Sequence, residues 1–372
     1  MTSQPVVHGH DRACLRRLLP KPVTGDDAHM RALTWLLGTV LALATAGAVY
    51  QIVGMVLDRQ QYPPPGQMVD IGGQRLHLYC LGTGSPTVIL EAAAPGWSLY
   101  WSTVQPQLAR TTRVCAYDRA GLGWSDRGPL PRTGQRMANE LHRLLERAGI
   151  AGPYVLVGHS LGGLVARLYQ HDYPQEVVGM VLVDAGHELE MRQAEFRSFA
   201  NAGKSMLPVI RAMTMLGITR LMASYDQLPP ILALQEEKVP AAVRPMLRAG
   251  WLRTGYASTL ADESDGLIET LEQVRHSGRL GDLPLVVITA TGPVWWPDMP
   301  GQVNPAKFKK MWLDLQQDLT TLSTNSRQVF AEQSSHFVQF DEPHLVVEEI
   351  RLLIERIRRA PPRQEEPASR TR

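Results

Sequence analysis

The sequence predicts an α/β fold: an eight-stranded, mostly parallel sheet with helices on both faces. Three observations predict it. The run Tyr154-Val155-Leu156-Val157 has the unbroken apolarity of a strand buried on both sides. It passes through Gly158-His159-Ser160-Leu161-Gly162 directly into a helical stripe of Leu161, Leu164, Val165, Leu168 and Tyr169 that stops before Pro174. Similar short apolar runs alternate with helical stretches through the later chain, the pattern of parallel strands joined by crossover helices.

Taken in order, residues 32–57 carry no charge and lie between Arg31 and Asp58. As a helix they reach roughly 39 Å, more than the ~30 Å hydrocarbon core of a bilayer, which predicts a transmembrane helix through which the lipid bilayer is a partner. A cleaved signal is the rival reading, with small-residue sites at Ala42-Leu43-Ala44 and Ala46-Gly47-Ala48. The long leader ahead of the apolar run argues against it. Arg12, Arg16, Arg17, Lys21 and Arg31 precede the span, and only Arg59 and Arg75 follow closely. The positive-inside bias puts segment 1–31 in the cytoplasm and the rest in a periplasmic or extracellular space. Residues 58–66, ending Tyr62-Pro63-Pro64-Pro65-Gly66, read as a stiff linker.

Strands are expected at 68–71, 75–81, 87–91, 113–117, 154–157, 179–184, 285–290 and 328–332, forming a core split between 67–184 and 284–359. A helix over 133–148 turns Met137, Leu141, Leu144 and Leu145 to the sheet and ends at Gly149. The segment 185–283 is far too long for a simple connection. Its helical pattern and its Met and Leu content (Met206, Leu207, Met213, Met215, Met222, Met246) predict a helical cap inserted after the sixth strand, most of these residues forming its own small core. The tail 360–372 is rich in Pro, Arg and Glu and reads as disordered. With 20% charged residues and a net charge of +2, nothing in the chain suits nucleic acid. No metal-ligand spacing or phosphate-cradling glycine loop is present, so no cofactor is expected.

The Gly-x-Ser-x-Gly turn between a strand and a helix presents Ser160 at the tip of the sheet beside a helix N-terminus, as a nucleophile requires; an ordinary strand-to-helix turn is the plain alternative. A serine nucleophile needs a base. Of eleven histidines, His336 lies on a loop just after the last strand and before the final helix, where a base is needed. These features, with Tyr117-Asp118-Arg119-Ala120-Gly121-Leu122-Gly123-Trp124-Ser125 at the end of the fourth strand, the third strand and its following loop over 87–101, and the run 179–184, make the chain resemble the α/β-hydrolase superfamily over residues 66–359. The match is to the branch holding esterases and the dehalogenase and epoxide hydrolase relatives.

That resemblance implies a Ser-His-acid triad. Relatives of the dehalogenase and epoxide hydrolase type carry Asp at the elbow, so Ser160 argues against both activities. The usual acid position after the seventh strand holds Gly292 and Pro293, leaving Asp184, at the end of the sixth strand, and Asp298 in competition. The oxyanion donors are expected to be the N–H groups of Leu161 and, by alignment of the third strand, Ala94. Trp97, Trp295 and Trp296 are expected to help line an apolar substrate pocket. The superfamily's sheet order makes the strands of Cys80 and Cys115 neighbours; two buried thiols are expected there, because direct cross-strand geometry seldom suits a disulfide. The function expected is a membrane-anchored serine hydrolase cleaving a small apolar acyl ester. A non-catalytic binding protein and an acyltransferase are the alternatives.

Overall fold

The structure, a computed structural model, describes residues 25–293 and 303–360. One long helix, α1 (Gly25–Gln61), leads into β1 (Gln67–Asp70), β2 (Arg75–Leu81), β3 (Thr87–Glu91), α2 (Gln105–Leu108), β4 (Val114–Tyr117), α3 (Gly134–Arg147), β5 (Tyr154–His159), α4 (Leu161–Asp172) and β6 (Val177–Val183). An insert follows: α5 (Ala194–Met215), α6 (Ile218–Ser224), α7 (Pro230–Lys238), α8 (Arg244–Trp251), α9 (Thr254–Asp265) and α10 (Leu267–His276). The chain then completes β7 (Leu285–Ala290), α11 (Pro305–Leu319), β8 (Ser326–Ala331), α12 (Val338–Asp341) and α13 (Pro343–Arg359). The segments 1–24 and 361–372, with the expected leader charges up to Lys21 and nearly all of the expected tail, lie outside the described residues, as do Trp295, Trp296 and Asp298.

The eight strands form one sheet in the order β1-β2-β4-β3-β5-β6-β7-β8. β1 with β2 and β2 with β4 are antiparallel; all other pairs are parallel. Two-residue alternation explains why the strands read as solid apolar runs. Val88, Leu90, Val155, Val157, Val181 and Val183 face a core shared with Trp101, Ile350 and Leu353. Ile89, Leu156, Met180 and Leu182 face the other, shared with Leu141, Leu144, Leu164 and Leu168 of α3 and α4. Thr133 caps α3 by accepting from Arg136 N at 3.4 Å.

Two expectations need correction. Cys80 and Cys115 are not two thiols but a disulfide. They are direct partners in the antiparallel register of β2 and β4, with Cα atoms 4.0 Å apart. That is the close, non-hydrogen-bonded type of pair, whose side chains approach most nearly. The bond closes a loop with a sequence separation of 35. Losing it, by Cys80→Ala with Cys115→Ala, is expected to cost about 3–4 kcal/mol in denaturant unfolding. Reduced wild type should show the same loss, and an unchanged midpoint in both would refute a stabilising role. Second, helix α1 runs on to Gln61 and so takes over part of the expected linker, tied down by an Arg220–Asp58 ion pair of 2.7 Å. The insert packs in two places: α5 on α1, α9 and α11, and α10 on α3 and α4. By length and composition α1 is apolar enough to cross a membrane, as a signal sequence also is.

Candidate active site

The turn after β5 holds Ser160 at φ 53° and ψ −121°, a conformation costly for a non-glycine residue. The flanking glycines are required by packing. A Cβ on Gly158 would lie 2.5 Å from Gly162 O, and one on Gly162 would lie 2.4 Å from Glu91 O. Backbone bonds hold the strained residue: Ser160 N donates to Val183 O, while Gly163 N and Gly186 N both donate to Ser160 O.

Asp184 follows β6, also at positive φ (41°). It is fully buried, and both carboxylate oxygens are engaged. Oδ1 accepts from Ala290 N at 3.0 Å and from Trp312 Nε1 at 2.9 Å. Oδ2 lies 2.6 Å from His336 Nδ1. His336 is held from behind by His159, whose Nε2 lies 2.8 Å from the His336 carbonyl oxygen and whose Nδ1 meets Gln339 Nε2 at 3.2 Å. Burial, reinforced by the neighbouring His336, lowers the His159 pKa well below the ordinary range. His159 is therefore neutral, donating through Nε2 and accepting at Nδ1.

Ser160, Leu161, Ala93, Ala94 and His336 line one cavity of about 150 Å³, whose apolar wall includes Phe196 and Phe199 of α5 and Trp312 of α11. Among the described residues no hydrogen bond joins Ser160 Oγ to His336. Leu161 opens α4, so its N–H has no intrahelical acceptor. Ala94 N–H likewise meets no acceptor among the described residues. A larger open depression of about 520 Å³, bordered by Gly72, Gln74, Arg136 and Arg143, contains neither Ser160 nor His336. Among the described residues no group of three or more His, Cys, Asp or Glu is placed to hold a metal ion.

The loop carrying Ala94 is held by a buried charge cluster. Arg119 Nη1 donates to Glu91 Oε1 (2.7 Å) and Ala92 O (2.6 Å), and Nη2 donates to Ala93 O (2.8 Å). Its Nε donates to Glu263 Oε1 of α9 at 2.8 Å, and Tyr117 OH donates to Glu91 Oε2. Burial works against the Arg119 charge, but Glu263 and Glu91 outweigh it and move its pKa up. With alanines at 92 and 93, a guanidinium caps the carbonyls of the loop. One side chain thus ties this loop to the insert.

A family model for the α/β-hydrolase fold matches residues 86–267, from the start of β3 through the elbow to α10. The chain belongs to the α/β-hydrolase superfamily. This hydrolase is 27% identical over 303 residues to an AB hydrolase superfamily protein of Gibberella zeae, a match covering 73% of this chain and 87% of the relative. Its fold is that of a thermophilic esterase from Thermogutta terrifontis (TM-score 0.56, 17% identity, 78% of this chain and 97% of that one). A laboratory-evolved variant of potato epoxide hydrolase is similar in fold as well (TM-score 0.60, 18% identity, 78% and 98%).

The structure brings Ser160, Leu161, Ala94 and His336 to one cavity and Asp184 against His336. It does not bring Trp97 there. Trp97 is buried among Tyr100, Trp251 and Tyr256, where it joins the insert to the core, and Gly250 leaves room for its ring. Trp295, Trp296 and Asp298, expected near the site, lie outside the described residues. Sequence reasoning missed Arg119, Glu263, Phe196, Phe199 and Trp312. Arg119 stands inside the motif 117–125, and Trp312 belongs to an apolar stripe with Phe308, Met311 and Leu315, so both carried a sequence signal.

It also missed Glu190, a buried carboxyl on the cavity wall whose Oε2 accepts from His187 N at 3.1 Å. Burial pushes its pKa up to about 8. The folded hydrolase then binds a proton that the unfolded chain has released, so this residue's contribution to stability falls as pH rises from about 4.5 to about 8. Its burial costs on the order of 3 kcal/mol at pH 7. Glu190→Gln should raise the neutral-pH melting temperature and flatten its decline over that window. An equal decline in the variant would show that Glu190 does not titrate there.

Proposed function

We propose that this hydrolase is a membrane-anchored serine esterase that works through an acyl-enzyme on Ser160. The observation carrying the reading is the 2.6 Å contact of His336 Nδ1 with the fixed carboxylate of Asp184, in a histidine that lines the same cavity as Ser160. With Nδ1 directed to Asp184, Nε2 is the nitrogen that takes the Ser160 proton in this reading. Oγ then attacks the ester carbonyl carbon. The Leu161 and Ala94 N–H groups, which have no other acceptor among the described residues, are free to stabilise the developing oxyanion. Imidazolium His336 protonates the leaving alcohol, and a water activated by His336 releases the acid. Nucleophile–base contacts of this type tighten when a reacting carbonyl is engaged.

Ser160 favours this over epoxide opening, for which the resemblance implies Asp at the elbow. Phe196, Phe199, Leu267 and Trp312 suit an apolar acyl group. Helix α1 supports the anchor, since its apolar stretch is almost wholly exposed. The Cys80–Cys115 disulfide favours an oxidising, exoplasmic compartment for the catalytic part. A fluorophosphonate probe should label the wild type and leave Ser160→Ala unlabelled. A folded wild type that takes no label would replace the esterase with the non-catalytic binding protein.

A further inference from the structure

The second half of α1 touches the insert at positions that fix where a bilayer must lie. Gly47 meets the corner between α5 and α6: a Cβ there would lie 2.2 Å from Leu216 O, and one on Gly217 would lie 2.6 Å from Gly47 O. One turn further, the polar groups of the helix are turned inward. Gln51 Nε2 donates to Leu252 O at 2.6 Å, and Gln51 Oε1 accepts from Arg220 Nε at 3.1 Å. Arg220 also pairs with Asp58, and Gly54 leaves space for its guanidinium. Small residues at the contact and paired polar groups are how helices join within lipid.

The uncharged run of α1 covers 32–57, and a bilayer core needs about 20 helical residues. Wherever such a window is set on that run, from its first residue to its last, it contains Gly47. The α5–α6 corner therefore lies at the level of the hydrocarbon. The surface there agrees. Val209 is 52% exposed, Met215 51% and Leu221 50%, and Leu216 and Ile218 are also open. Together α5 and α6 are apolar enough to enter a membrane, yet they bend by 78° between Met215 and Ile218 and so cannot cross it as one straight rod. Arg211, exposed in the same stretch, is long enough to reach headgroup phosphates.

We infer that the α5–α6 corner is immersed in the outer half of the bilayer that α1 crosses, its occupant being lipid acyl chains. The inference rests on the anchor reading of α1. It also gives α5 a second role: the same helix carries Phe196 and Phe199 to the Ser160 cavity at one end and meets lipid at the other.

The test uses the full chain with Cys14→Ser, reconstituted in phosphatidylcholine vesicles, with single spin labels at Val209→Cys, Leu221→Cys, Leu41→Cys on α1 and Arg351→Cys on α13. Collision with oxygen relative to a water-soluble nickel complex is read at each. At 209 and 221 the ratio is expected to match that at 41 and to exceed that at 351 by roughly fivefold, as hydrocarbon differs from water. A lipid-like value at 41 with water-like values at 209 and 221 would overturn the immersion while leaving the anchor. A water-like value at 41 as well would overturn both. As an independent readout, Val209→Lys with Leu221→Lys should slow hydrolysis of a long-chain ester held in vesicles at least about tenfold and leave a soluble short-chain ester unaffected. Equal rates on both substrates would contradict the inference.

Discussion

Under the proposed mechanism, Ser160→Ala is expected to lower kcat/KM for an activated acyl ester by on the order of 10⁵-fold, because loss of a triad's nucleophile leaves only binding and oxyanion stabilisation. The fold should survive. Ser160 Oγ makes no hydrogen bond to His336 among the described residues, and the bonds that hold the turn are backbone bonds through Ser160 N and O, which alanine keeps. The positive φ is equally costly for alanine, so the unfolding midpoint should move little. Kinetics should be measured beside circular dichroism. Turnover within tenfold of wild type, in a folded variant, would rule out the covalent mechanism.

The second large effect is at Asp184. Asp184→Asn should reduce kcat by roughly 10³–10⁴-fold. The asparagine oxygen can still accept from Ala290 N and Trp312 Nε1, so the side chain stays in place. Its NH₂ then faces His336 Nδ1 and donates to it, which moves the imidazole proton to Nε2 and removes the base. The loss should therefore be in kcat rather than in stability. Asp298→Asn is the comparison, and it should retain activity near wild type. Should the Asp298 variant lose turnover while the Asp184 variant keeps it, the orienting acid has been misassigned.

Much of the site was legible because its chemistry is local. The Gly-x-Ser-x-Gly turn works through clashes between residues four apart and the strand beside them, and those clashes dictate the two glycines directly. His336 was readable because a loop between a final strand and a final helix is a place that sequence pattern can locate. The acid was not decided in this way. In the sequence Asp184 and Asp298 both come after apolar runs, and periodicity alone does not measure how near either carboxylate comes to His336. The contact of Asp184 with His336 depends on β6 lying beside β7 and on α11 supplying Trp312 from 128 positions further along.

By itself, the sequence determined the sheet and the elbow, for these follow from two-residue and 3.6-residue periodicities and from glycine sterics. It also determined the apolar run of α1, through the absence of charge over 26 positions. Only the tertiary structure decided the rest. The disulfide needed the register of β2 against β4, which brings Cys80 opposite Cys115. The clamp on the Ala94 loop needed Arg119, Glu91 and Glu263 to converge from β3, the loop after β4 and α9. Trp97 was buried rather than left in the site because the insert closed over it. In each case the deciding contact joins residues far apart in the chain, and local propensity carries no information about distance in space.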